Sequence, residues 1–78
     1  MTALAYRVQV TYRGAPFIAK VTVIPLLGHD KWAIGYVTPT GHRKLNVKGN
    51  EHVADTEAAC IDRLRQIAAF RGWKEWTE

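Results

Sequence analysis

The strict alternation of side chains over residues 4–12 is the feature that most constrains the fold of this chain. Apolar residues occupy every even position of the stretch, namely Leu4, Tyr6, Val8, Val10 and Tyr12. The odd positions hold Ala5, Arg7, Gln9 and Thr11. Because successive side chains of a β-strand point to opposite faces, a period of two predicts a strand that is buried on one face. Such a strand needs partner strands and a second layer that covers its apolar face.

Two further segments, 17–24 and 31–38, repeat the alternation and predict a second and a third strand. The segment RGAP at 13–16 predicts a turn, because Gly permits a positive φ and Pro suits the edge of the following strand. So short a connection predicts an antiparallel hairpin between the first two strands. A shorter run at 44–48 is compatible with a fourth strand.

A helix is predicted over about residues 55–71. Its apolar residues recur at helical spacing and form one stripe, made of Cys60, Ile61, Leu64, Ile67 and Ala68. We expect Ile61 and Leu64 to be deeply buried. Asp55 is the expected N-cap, and Gly72 just after the last periodic residue is a stop signal.

These elements predict an α+β fold of the order β-β-β-(β)-α. One C-terminal helix packs on one face of a three- to four-stranded antiparallel sheet. The length of 78 residues predicts a single domain, with the sheet over 4–48 and a short tail over 72–78. A hydrophobic share of 47% is too high for a disordered chain.

Positive charge is concentrated in the first 48 residues. They carry seven Lys and Arg against one acid, whereas residues 49–78 carry four against six, so net charges of +6 and −2 give the total of +4. Binding of nucleic acid or of an acidic partner is predicted for six of these cations: Arg7, Arg13, Lys20, Arg43, Lys44 and Lys48. The sheet face turned away from the helix would carry four of them and no carboxylate.

A basic face of this kind suits a phosphate backbone, because Lys and Arg neutralise phosphates while Gln, Thr and Asn donate hydrogen bonds to them. Arg13 and Arg43 would extend the footprint from the turns. The face lacks exposed aromatic residues in this prediction, which favours DNA over single-stranded RNA. The small residues Ala33 and Gly35 would let another backbone approach it closely.

Two alternatives stay open for this face. It can dock on an acidic protein surface, as a small inhibitor or adaptor does, or it can be an ordinary solvated face with lysines that block edge-to-edge aggregation. Homodimer formation by edge-strand pairing is compatible with either binding function. Four apolar residues outside the basic face are possible interface residues or extensions of the core: Leu26, Leu27, Trp73 and Trp76.

Catalysis, metal binding and a cofactor are not expected. The three histidines and Cys60 lack metal-ligand spacing, and no nucleophile–base or paired-carboxylate pattern is present. The single cysteine cannot form an internal disulfide, which predicts a reducing, cytoplasmic setting. The first residues lack a signal-peptide pattern, and no apolar run reaches the ~20 residues of a membrane helix.

Overall fold

The computed structural model describes residues 4–26 and 28–77. The elements of these residues are β1 (Tyr6–Tyr12), β2 (Ala15–Pro25), β3 (Trp32–Thr38), β4 (Gly41–Lys44), α1 (Glu57–Arg71) and β5 (Lys74–Glu75). The strands form an antiparallel sheet in the order β4-β3-β2-β1-β5. The predicted α+β class, the three antiparallel strands and the C-terminal helix are confirmed, and the sheet has one strand more than the largest predicted number.

The β1–β2 hairpin fixes which side chains share a face. Its turn residues Arg13 and Gly14 both have positive φ, 51° and 80°, as a two-residue type I′ turn requires. The resulting register places Tyr6 opposite Val21 and Arg7 opposite Lys20. Most apolar residues of both strands therefore lie on the helix side of the sheet, whereas Ile18 and Ile24 of β2 lie on the other side.

The fourth strand lies earlier in the chain than the predicted 44–48. It leaves the turn after Thr38 and pairs with β3 from Gly41 to Lys44. The last hydrogen bond to β3 is donated by the N–H of Leu45 to the carbonyl of Ile34 (3.0 Å). The chain then leaves the sheet, and a turn begins at Val47. Lys48 therefore lies in a turn and not in a strand.

Buried Asn50 fastens this turn to the sheet. Its side-chain Nδ2 donates to the carbonyl oxygens of Ile34 (3.1 Å) and Leu45 (2.6 Å). Its backbone N–H donates to the carbonyl of Val47 (3.1 Å). Buried carbonyl groups need hydrogen-bond donors. The Asn50 amide supplies a donor to two carbonyl groups where the chain leaves the sheet.

The helix begins one residue later than predicted for an Asp55 cap. Thr56 is the N-cap, and its hydroxyl accepts from the N–H of Ala59 (3.1 Å). Asp55 instead pairs with Lys31, and the hydrogen bond and charge of that ammonium group hold the pKa of the Asp55 carboxyl below its usual value. Gly72 ends the helix in the left-handed conformation at φ 71°, as predicted.

The tail returns to the sheet as a fifth strand that was not predicted. Trp73 donates its N–H to the carbonyl of Ala68 (2.9 Å), which turns the chain back over the end of the helix. Lys74 and Glu75 then pair with β1, and the N–H of Trp76 donates to the carbonyl of Ala5 (2.9 Å). A strand of two paired residues is too short for the alternation around it to predict it alone.

The core lies between α1 and one side of the sheet. The helix packs mainly on β2 and β3. The most deeply buried side chains are Ile34, Leu64, Val21 and Cys60. Ile61 is only half-buried, so its predicted deep burial is wrong. The buried side of the helix consists of Cys60, Leu64, Ile67 and Ala68, and Ile61 lies at its border.

Leu64→Ala is expected to lower the free energy of unfolding by about 2–5 kcal/mol, because it opens a cavity at a fully buried position. Thermal and urea unfolding followed by circular dichroism measure this loss. Gln66→Ala, at an exposed position of the same helix, is the control and should leave the free energy of unfolding within about 0.5 kcal/mol of the parent value. Equal midpoints for the parent and the Leu64 variant would contradict the helix placement.

Candidate functional site

The outer face, the side of the sheet turned away from α1, is the candidate functional site. By the strand registers it carries Arg7, Gln9, Thr11, Ile18, Lys20, Thr22, Ile24, Ala33, Gly35, Val37, His42, Lys44, Lys74 and the adjoining Trp76. None of these described residues is acidic. Four of them are cations, so all charged side chains among these residues are positive.

Three of the cations lie side by side across neighbouring strands. Arg7 on β1 is directly opposite Lys20 on β2 and directly opposite Lys74 on β5. With strands about 4.8 Å apart, the row spans roughly 10 Å. Like charges placed directly opposite one another destabilise a sheet. The direct pairing of these charges across the strands therefore does not by itself favour the sheet.

An aromatic ring lies beside the row. The guanidinium carbon of Arg7 is 5.3 Å and the Nζ of Lys20 is 5.8 Å from the centroid of the Trp76 ring. Cation–π attraction operates at these distances and positions both charges beside one another. Sequence reasoning missed both Lys74 and Trp76 on this face, because it treated the tail as irregular. The alternation after Gly72, with Trp73 and Glu75 on one side and Lys74 and Trp76 on the other, is the signal that was available.

The middle of the outer face is filled by the protein itself. Ile24 is only 4% exposed, and it lies over Gly35. A Cβ atom on Gly35 would lie 2.5 Å from Ile24 Cδ1 and 2.5 Å from the carbonyl oxygen of Arg43. The expectation that another backbone approaches at Ala33 and Gly35 is therefore wrong, since Ile24 occupies that space.

Two predicted binding residues lie elsewhere. Arg43 is opposite buried Tyr36 in the β3–β4 ladder, which places it on the helix side of the sheet. Its guanidinium carbon lies 5.5 Å from the centroid of the Tyr12 ring, and that of Arg13 lies 5.4 Å from the same ring. The prediction that these two arginines extend the outer face is wrong, because they gather around an aromatic residue of the other side.

Tyr12 connects this second group of cations to the β3–β4 turn. Its hydroxyl is hydrogen-bonded to the hydroxyl of Thr40 at 2.8 Å. The hydrogen bond with Thr40 lowers the pKa of the phenol, and the charges of Arg13 and Arg43 act in the same direction.

Lys44 lies at the border of the outer face. Its Nζ is 3.4 Å from the backbone oxygen of Glu51, across the turn that contains Lys48. The Glu51 carboxylate accepts the N–H of Gly49 at 3.0 Å, and this bond lowers the pKa of that carboxyl. An acidic group thus lies close to Lys48, whereas no described residue of the outer face is acidic.

The remaining predicted residues divide between core and surface. Trp73 is partly buried against the core, with its ring centroid 6.5 Å from that of Tyr6. Leu26 is half-buried, and Leu27 lies outside the described residues. Ile18 and Val37 are exposed apolar residues of the outer face, at 48% and 62%.

Two further observations concern metal sites and membrane helices in the described part of the chain. Over residues 4–26 and 28–77, no three His, Cys, Asp or Glu side chains are grouped so that they could hold a metal ion. Within the same residues, α1 is too short and too polar to cross a membrane. Comparisons of the chain with protein-family models, curated proteins and solved structures found no match.

Gly35→Ala is expected to destabilise the fold by about 1–3 kcal/mol, because the added methyl group overlaps Ile24 and the backbone of β4. Urea unfolding measures the loss. Ile24→Val removes the Cδ1 atom that the new methyl group meets, so the double variant should lose less stability than the sum of the single changes. Strict additivity, or an unchanged midpoint for Gly35→Ala, would contradict the packing of Ile24 over Gly35.

Proposed function

We propose that this protein binds nucleic acid through its outer face, without catalysis. The observation that supports the proposal is the row Lys74–Arg7–Lys20, in which cations are directly opposed on adjacent strands and no described residue of the face is acidic. Such a row attracts an anionic polymer that lies across it.

The dimensions of the row suit a phosphate backbone. A DNA strand carries one phosphate per 3.4 Å of helix axis, so a row of roughly 10 Å faces about three successive phosphates. Lys44 on β4 offers a fourth contact, and exposed Gln9 and Thr11 supply hydrogen-bond donors. We therefore expect four phosphate contacts in the proposed complex.

Duplex DNA is the preferred form of the ligand. Trp76 is half-buried and already lies against Arg7 and Lys20. A typical RNA-binding sheet stacks two or three bases on several aromatic residues. One aromatic ring is fewer than that, so phosphate contacts carry the proposed affinity and Trp76 contributes at most one stacking contact.

An acidic protein is the second candidate partner. Ile18 and Val37 are exposed on the same face as Lys20, and apolar residues within a charged rim are typical of protein interfaces. The two candidates differ in their response to salt, because only a nucleic acid releases condensed counterions.

The affinity for a short DNA duplex is expected to fall linearly with salt on a log–log plot, with a slope of about −3 to −4 for four phosphate contacts. Fluorescence anisotropy of a labelled duplex between ~50 and ~200 mM salt measures this slope, a range over which such binding weakens strongly. Absence of binding at the lowest salt would contradict the nucleic-acid proposal and leave the acidic-protein partner as the explanation.

Charge reversal tests the location of the site. Arg7→Glu and Lys44→Glu should each weaken DNA binding and make the salt slope shallower by about 1, because each removes one phosphate contact. Arg65→Glu, on the exposed side of α1, changes the net charge equally and serves as the matched control. An equal loss for all three variants would show that net charge alone governs binding and would contradict a site on the outer face.

A further inference from the structure

A cleft opens on the helix side of the sheet, beside the C-terminal end of α1. Its volume is about 430 Å³, within the range of small-molecule sites. Val8, Val10 and Tyr36 line it from the sheet, Arg43 lines it from β4, and Arg71 and Trp73 line it from the end of the helix. The helix packs mainly on β2 and β3, and Val8 on β1 is only partly buried.

The cleft is positively charged. Arg43 and Arg71 both line it, and no Asp or Glu is among its lining residues. Arg43 is held in place by the Tyr12 ring at 5.5 Å. A guanidinium group is planar and presents paired N–H donors that match a carboxylate, so two of them around one cleft select a planar anion.

The walls of the cleft are apolar and aromatic. Tyr36 is buried, and its ring packs on Phe17 with centroids 5.9 Å apart. Trp73 is half-buried, and its ring packs on Tyr6 at 6.5 Å. Tyr36 is only 4% exposed, so it closes the bottom of the cleft, and half-buried Trp73 is the ring on which a flat, apolar ligand body can stack.

We propose that this cleft binds a small aromatic carboxylate, with the ring stacked on Trp73 and the carboxylate at Arg43 and Arg71. The lining of the cleft also includes Gln9, Thr11 and Lys44 of the outer face. Neither arginine belongs to that face, so changes at Arg43 and Arg71 test this site without removing a proposed phosphate contact. The failure of one proposal leaves the other standing.

The test uses 2-naphthoate as the probe and 2-naphthamide as its neutral counterpart. Calorimetry should show that naphthoate binds at least about tenfold more tightly, because only naphthoate offers the arginines a charged hydrogen-bond acceptor. The NMR signal of the Trp73 indole N–H should shift during the titration. Inorganic phosphate, which has charge but no apolar body, should bind far more weakly.

Substitutions locate the carboxylate. Arg43→Gln and Arg71→Gln should each weaken naphthoate binding by about tenfold and leave naphthamide binding unchanged. Arg65→Gln, outside the cleft, is the control, and circular dichroism verifies that each variant is folded. Equal affinity for naphthoate and naphthamide, no naphthoate binding at millimolar concentration, or phosphate binding as tight as naphthoate binding would each overturn the proposal.

Discussion

The packing of α1 on one side of the sheet is the constraint on which the rest of the structure depends. Fully buried Leu64 and Cys60 hold the helix against Val21 and Ile34. Since no second layer of described residues covers the other side, the alternation of each strand divides its side chains between core and solvent. Arg7 and Lys20 become neighbours on the outer face for this reason, while Arg43, one residue before outward-facing Lys44, is directed to the helix side.

The left-handed turn at Gly72 returns the tail to the sheet, where its side chains lie alternately on the two sides. Its φ of 71° is a conformation that residues with a Cβ rarely adopt. Trp73 packs beside Tyr6 on the helix side and lines the cleft. Trp76 lies beside Arg7 on the outer face. A tail of a few residues therefore contributes to both proposed sites.

Periodicity was sufficient to predict β1, β2, β3 and α1, because each is long enough to repeat its pattern several times. It failed at the two edge strands. β4 has four residues, all exposed, and β5 has two, so neither carries an apolar stripe. The errors in the candidate site follow from these edges: Arg43 was assigned to a turn, and Lys74 and Trp76 were not assigned to the outer face. The Ile24–Gly35 contact joins two strands through side-chain shape, which alternation does not encode.

The most direct test of the outer face as the nucleic-acid site is an NMR titration of the ¹⁵N-labelled protein with a short DNA duplex at low salt. We predict that the largest shift changes fall on the amides around Arg7, Lys20, Lys44 and Lys74 and on the Trp76 indole, while the exposed amides of α1 around Arg65 change little. Shift changes confined to α1, or none anywhere in the spectrum, would contradict the assignment of function to this face.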